Sequence, residues 1–129
     1  MNADTTRAEL DRVTRSIIGG AQRVSSTLGS GFLEKVYENA LALELKSMGL
    51  DVKQQHGVKV HYRGRRVGEY FADLFVENLV IVELKVVSAL NEVHRAQCLN
   101  YLRATGLRVV LLINFARPKL EVRRIVSGF

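Results

Sequence analysis

The sequence predicts an α/β fold in which two helices precede a three-strand meander, and a third helix and two more strands follow it. Two periodicities predict it. Apolar residues recur at helical spacing over residues 5–48 and again over 91–105, whereas the period falls to two between Val52 and Val87. A third observation fixes the sheet centre. Residues 79–87 are so apolar that both faces of that strand must be covered. The chain has 129 residues, of which 47% are hydrophobic, enough for one core without disulfides or metals, so one domain spanning 1–129 is expected.

The first helix is expected over residues 5–27, where Ala8, Leu10, Val13, Ile17, Ile18, Ala21 and Val24 make an apolar stripe among Arg7, Arg12, Arg15 and Arg23. Gly29-Ser30-Gly31 breaks it. A second helix resumes at Phe32 and carries Leu33, Val36, Tyr37, Ala40, Leu41 and Leu45 as far as Met48, with Gly49 as its C-terminal stop. Val52, Gln54, His56, Val58, Val60 and Tyr62 then share one parity of a strand, and Arg63-Gly64-Arg65 turns it. Residues 67–76 return as the second strand, Glu77-Asn78 make a tight turn, and the central strand follows. Residues 91–105 form the third helix, closed by Gly106. Residues 108–114 are another buried strand, and 120–125, after Pro118, an edge strand.

Composition narrows the function classes. The longest apolar runs, such as Val109 to Ile113, fall far short of the ~20 residues a membrane-spanning helix needs. No apolar signal-peptide core opens the chain, so a soluble, cytoplasmic protein is expected. The single cysteine, Cys98, excludes an internal disulfide and a Cys-rich zinc site, and reads as a buried helical thiol. His56, His61 and His94 lack the spacing of a zinc site, although His94 alone stands where it could approach the carboxylates discussed below. The net charge is +6, with 13 Arg against 6 Lys, and forked guanidinium groups suit phosphate oxygens. A nucleic-acid partner, DNA or RNA, is therefore one reading; a basic surface that binds nothing charged is the other. Arg63, Arg65 and Arg66 are in the same position, either a solvated loop tip or phosphate contacts.

The feature that calls for chemistry is Glu83-Leu84-Lys85 inside the apolar central strand. Alternation puts Glu83 and Lys85 on one face. A charge in a covered strand must be paired or bound to a metal, because losing its hydration costs several kcal/mol. Either a Glu83–Lys85 ion pair or a ligand site answers that need. Asp73, in the preceding strand, brings a second carboxylate. If Phe75 pairs with Ile81, Asp73 falls opposite Glu83, with Cβ atoms ~5 Å apart, close enough to share one hard cation. A strict two-residue loop at Glu77-Asn78 would invert that relation, so the hairpin is expected to carry a three-residue loop or a bulge, with Asn78 left-handed.

Four segments in order resemble a known family. Gly31-Phe32-Leu33-Glu34-Lys35-Val36-Tyr37-Glu38 is similar to the motif of the GxxExxY proteins, and Ala72-Asp73-Leu74-Phe75-Val76, Val82-Glu83-Leu84-Lys85 and Gln97-Cys98-Leu99-Asn100-Tyr101-Leu102 resemble their remaining hallmarks. That family is grouped with the PD-(D/E)XK phosphodiesterases. Ala72 stands where the superfamily pattern has Pro. The resemblance implies a restriction-endonuclease-like core of helix, three-strand meander, helix and strand, here with an extra N-terminal helix and a C-terminal edge strand. It implies metal-dependent hydrolysis of a nucleic-acid backbone, with Mg²⁺ or Mn²⁺ held by Asp73, Glu83, the Leu84 carbonyl and Glu34, and Lys85 acting on the water and on charge at phosphorus.

Glu34, Tyr37, Glu38 and Leu41 share a helical stripe, so Glu34 is expected to reach the carboxylates. His94, Gln97 and Tyr101 form a second stripe, in which Gln97 is a candidate to orient Lys85 or a substrate phosphate, supported by Tyr101. The alternative is a catalytically idle nucleic-acid-binding or protein-interaction module in which the carboxylates and Lys85 form a structural ion cluster. The sequence leaves a homodimer open.

Overall fold

A computed structural model describes residues 5–127. Its elements run α1 (Arg7–Leu28), α2 (Glu34–Ser47), β1 (Val52–Tyr62), β2 (Arg65–Val76), β3 (Val80–Lys85), α3 (Glu92–Thr105), β4 (Val109–Asn114) and β5 (Glu121–Val126). The five strands form one sheet in the order β1-β2-β3-β4-β5. All pairings are antiparallel except β3 with β4, the pair that α3 connects. This is the order of elements expected from periodicity, with β3 third of five and buried on both faces.

Local chemistry sets the helix ends. Thr6 caps α1 by accepting from the Glu9 N–H at 3.0 Å. At the end of α2 the Gly49 and Leu50 N–H groups return to the Lys46 and Leu45 carbonyls, with Gly49 at φ 85°, a conformation that costs glycine little. Asn91 caps α3 by accepting from the Val93 and His94 N–H groups, and the His94 ring accepts in turn from the Asn91 N–H at 3.2 Å. His94 therefore closes a capping box and is not turned toward the carboxylates.

Two cores cover the two faces of the sheet. On one, Leu74, Val76, Val82, Leu84, Leu111 and Ile113 pack against α1 and α2; on the other, Ala72, Phe75, Ile81, Val110 and Leu112 pack against α3. Burying both faces is the main stabilising contribution, at about 25 cal/mol for each Å² of apolar surface removed from water.

The even parity expected for β1 does not hold. Val52 lies in the α1/α2 core and Val58 in the α3 core, although an unbroken strand would put them on one face. The cause is Gln55, whose φ of 51° inverts the alternation. The change is matched across the pair: Gln54 pairs with Leu74 on the first face and His56 with Ala72 on the second. Gln55 and Asp73 occupy the crossover between those rungs. At the other end of β2 the register is the one the carboxylates require, with Phe75 opposite Ile81 and Val76 opposite Val80. The loop between holds three residues, with Glu77 and Asn78 both left-handed.

Candidate active site

The β2–β3 ladder stops at Leu74 and Val82, one position short of Asp73 and Glu83. Past that point the strands are joined through side chains. The Asp73 Oδ2 accepts from the Leu84 N–H at 2.8 Å, and the Asp73 N–H approaches Glu83 Oε2 at 3.4 Å. Because a strand residue turns its N–H and C=O to the same neighbour, the Leu84 carbonyl also points to the Asp73 side. Consistent with this, the next carbonyl, that of Lys85, points the other way and accepts from the Phe115 N–H.

Glu83 is 3% exposed and lies against the α3 layer, where the Tyr101 hydroxyl reaches it. Burial, and then the hydrogen-bonded carboxyl of Asp73 and its charge, push the Glu83 carboxyl up to about 9. Glu83, buried beside Asp73, thus favours its protonated form in the absence of a cation. Lys85 comes off the same side of β3, and its charge is felt by both Glu34 and Cys98. Among the described residues it forms no ion pair with Asp73 or Glu83. The Gln97 Nε2 donates to the Tyr101 hydroxyl at 3.4 Å, so Gln97 meets the site through Tyr101 and not through Lys85. Burial and the Glu83 carboxylate raise the Tyr101 phenol, which stays protonated as a donor. Cys98 is fully buried beneath them, its thiol pushed up to about 12 chiefly by burial, which leaves it inert.

On α2 the roles of the two glutamates divide. Glu34 is exposed at the N-terminal end of the helix; burial of its carboxyl and the Asp73 charge raise it, while Lys85 pulls it down. Glu38, one turn further, is 3% exposed and accepts from Lys35 Nζ and Gln54 Nε2, each at 2.8 Å, and from Gln55 Nε2 at 2.9 Å. Gln55 Nε2 also reaches Asp73 Oδ1 at 3.4 Å. Sequence reasoning treated Glu38 only as a neighbour of Glu34 and did not single out Gln54 or Gln55. The available signal was that Glu38 precedes Leu41 and Leu45 on the buried stripe, at i+3 and i+7.

Tyr37 is fully buried; it stacks on Phe115 with ring centroids 4.8 Å apart and donates to the Gly29 carbonyl at 2.6 Å. It pins the loop before α2 and does not reach the carboxylates.

The donors at Asp73, Glu83 and the Leu84 carbonyl are all oxygens, the ligand type Mg²⁺ and Mn²⁺ select. Burial of Glu83, and then the carboxyl of Asp73 beside it, disfavour the ionised form, a cost that a divalent cation would relieve. These residues fit such an ion. Among the described residues no three Asp, Glu, His or Cys side chains converge as a metal cluster, and Glu34 stays exposed at the end of α2.

Residues 11–125 match the family described as the PD-(D/E)XK nuclease superfamily. No curated protein matches the chain. Among solved structures, the crystal structure of SSO0001 is similar with a TM-score of 0.50 at 14% identity, over 91% of this chain and 64% of that one. At that identity the likeness concerns fold alone, and this chain spans 64% of the length of SSO0001. No described helix is long and apolar enough to cross a membrane.

Proposed function

The chain belongs to the PD-(D/E)XK nuclease superfamily, and from that premise we propose that it hydrolyses the phosphodiester backbone of a nucleic acid with Mg²⁺ or Mn²⁺ at Asp73 and Glu83. The observation that carries this reading is the contact of two carboxylates at the point where β2 and β3 part, with Glu83 raised to about 9. In a structural ion cluster Lys85 would pair with these carboxylates, whereas among the described residues it forms no ion pair with either. That contrast favours the metal-dependent reading over an idle module.

Asp73, Glu83 and the Leu84 carbonyl would hold the ion, with Glu34 at the rim. When bound, a divalent cation supplies Lewis acidity toward a phosphoryl oxygen and lowers the pKa of a water. The remaining work falls to the chain. Lys85, outside every ion pair among the described residues and adjoining the carboxylates, offsets charge developing on phosphorus and takes or positions the proton of the attacking water. Tyr101, held by Gln97, donates to Glu83 and fixes its rotamer. Gln55 does the same for Asp73 from the opposite side.

The test is cleavage of single- and double-stranded DNA and RNA at low salt with Mg²⁺ or Mn²⁺. Wild type should cleave at least one of these, and Lys85→Ala should lose nearly all cleavage while still binding it. Metal alone should also raise the unfolding free energy, by about 2.7 kcal/mol at a hundredfold excess over its dissociation constant. Absence of both cleavage and metal-induced stabilisation would retire catalysis.

A further inference from the structure

Beyond the crossover at Gln55 and Asp73, the β1–β2 hairpin runs on past the sheet centre and leaves a groove between itself and α3. The groove measures about 290 Å³, with Val58, Val60 and Tyr70 on the hairpin side and Gln97, Asn100 and Tyr101 on the helix side. Tyr70 is 57% exposed, although its ring meets that of Tyr101 edge-on at 6.4 Å. Tyr101 in turn lies against Glu83 and, against the larger effect of burial, lowers its carboxyl, so one wall of the groove adjoins the carboxylate pair.

Charge and shape limit what can occupy it. Among the described residues no carboxylate lines the groove or its continuation past His61 to Arg103. At the hairpin tip, Arg63 and Arg65 stand outside every ion pair among the described residues, next to Tyr62, which is 65% exposed. Cations along a rim suit phosphates, whereas the exposed Tyr70 ring in an apolar groove suits a base with a free face. A duplex hides the faces of its bases in the stack and would leave that apolar surface without a partner.

We propose that this groove takes an unpaired base of single-stranded nucleic acid on Tyr70 and presents the adjoining phosphate to Asp73 and Glu83. The proposal rests on the nuclease reading above and gives it a substrate class. Arg103 and the tip arginines contact the backbone on either side.

The experiment measures binding of a labelled oligothymidylate and of a duplex of equal length, in EDTA so that no cleavage can intervene. Wild type should prefer the single strand. Tyr70→Leu, which keeps apolar bulk at an exposed position, should weaken single-strand binding about tenfold and leave duplex binding unchanged. Arg63→Ala should weaken both alike and flatten the salt dependence. Preference for the duplex, or a silent Tyr70→Leu, would overturn the proposal. So would a dimer in sedimentation that Val93→Asp dissociates, since the groove would then be covered by a second copy. Cleavage with Mn²⁺ is scored separately. Single-strand binding with neither cleavage nor metal-induced stabilisation retires the nuclease reading, and cleavage with a silent Tyr70→Leu retires only this groove.

Discussion

The Asp73 carboxylate, one residue past the last β2–β3 rung at Leu74 and Val82, takes the place of a backbone carbonyl and accepts a 2.8 Å hydrogen bond from the Leu84 N–H. One side chain thus both completes the edge of β3 and presents an oxygen to the candidate metal position. Leu84 is fully buried, so its N–H has no water to turn to. Asp73→Ala should therefore cost about 1–3 kcal/mol in urea unfolding. Asp73→Asn keeps an acceptor oxygen and should fold nearly as well, while losing most of the metal-induced stabilisation. Equal stability of the two variants would show that the hydrogen bond matters little.

Glu83 couples stability to pH. Its carboxyl is raised from 4.5 to about 9 in the fold, so the folded state holds a proton that the unfolded chain releases. This contribution is fully present below the unfolded value and is lost as pH rises through the folded one. The metal-free protein should accordingly lose stability between pH 5 and 9, and the stabilisation by Mg²⁺ should grow over the same interval as the ion displaces the proton. Glu83→Gln mimics the protonated acid. In thermal melts at pH 8 without metal it should gain on the order of 1 kcal/mol, and it should no longer respond to Mg²⁺.

Gln55 separates conformational strain from function. A non-glycine residue at φ 51° in a strand is strained, and glycine would relieve about 1 kcal/mol of it. Glycine would also remove the amide that links Glu38 to Asp73. The amide is the partner of the buried Glu38 Oε1, so relief of strain is offset and Gln55→Gly should change stability by no more than about 1–2 kcal/mol, in the destabilising direction, while metal affinity falls about tenfold, as for lost outer-shell contacts to metal ligands. Calorimetric titration with Mn²⁺ alongside urea unfolding reads the two effects independently. Unchanged affinity would reduce Gln55 to a structural residue.

Tyr37 should prove structural. Its hydroxyl donates to the Gly29 carbonyl at 2.6 Å and accepts from the Phe32 N–H at 3.3 Å. Tyr37→Phe strips the loop before α2 of both contacts and should cost about 1–2 kcal/mol. Metal affinity and any cleavage rate per folded molecule should stay close to wild type, which distinguishes it from Lys85→Ala.

Much of the fold was legible because its signals are local. Period-3.6 stripes, the stops at Gly49 and Gly106, and the continuous apolar run of β3 each depend on neighbours within a few residues. The register that brings Asp73 toward Glu83 was also within reach. It follows from parity together with a loop of three residues, and the loop could be argued from Asn78.

The sequence by itself determined the order of elements, the central position of β3 and the rows on which the two carboxylates and Lys85 stand. Only the tertiary structure decided how those groups meet. Nothing local marks Gln55 as left-handed, since glutamine has no short polar side chain to favour it, yet that one torsion moves Val58 to the opposite core and sets Asp73 at the crossover. Likewise, Glu34 and Glu38 are equivalent in a helical stripe. Which of them is buried depends on where α2 lies over β1, and the fold buries Glu38 against Gln54 and Gln55. Whether Lys85 would neutralise Glu83 was open for the same reason: alternation assigns two side chains to a face, and only packing in three dimensions brings their charged ends together or keeps them apart.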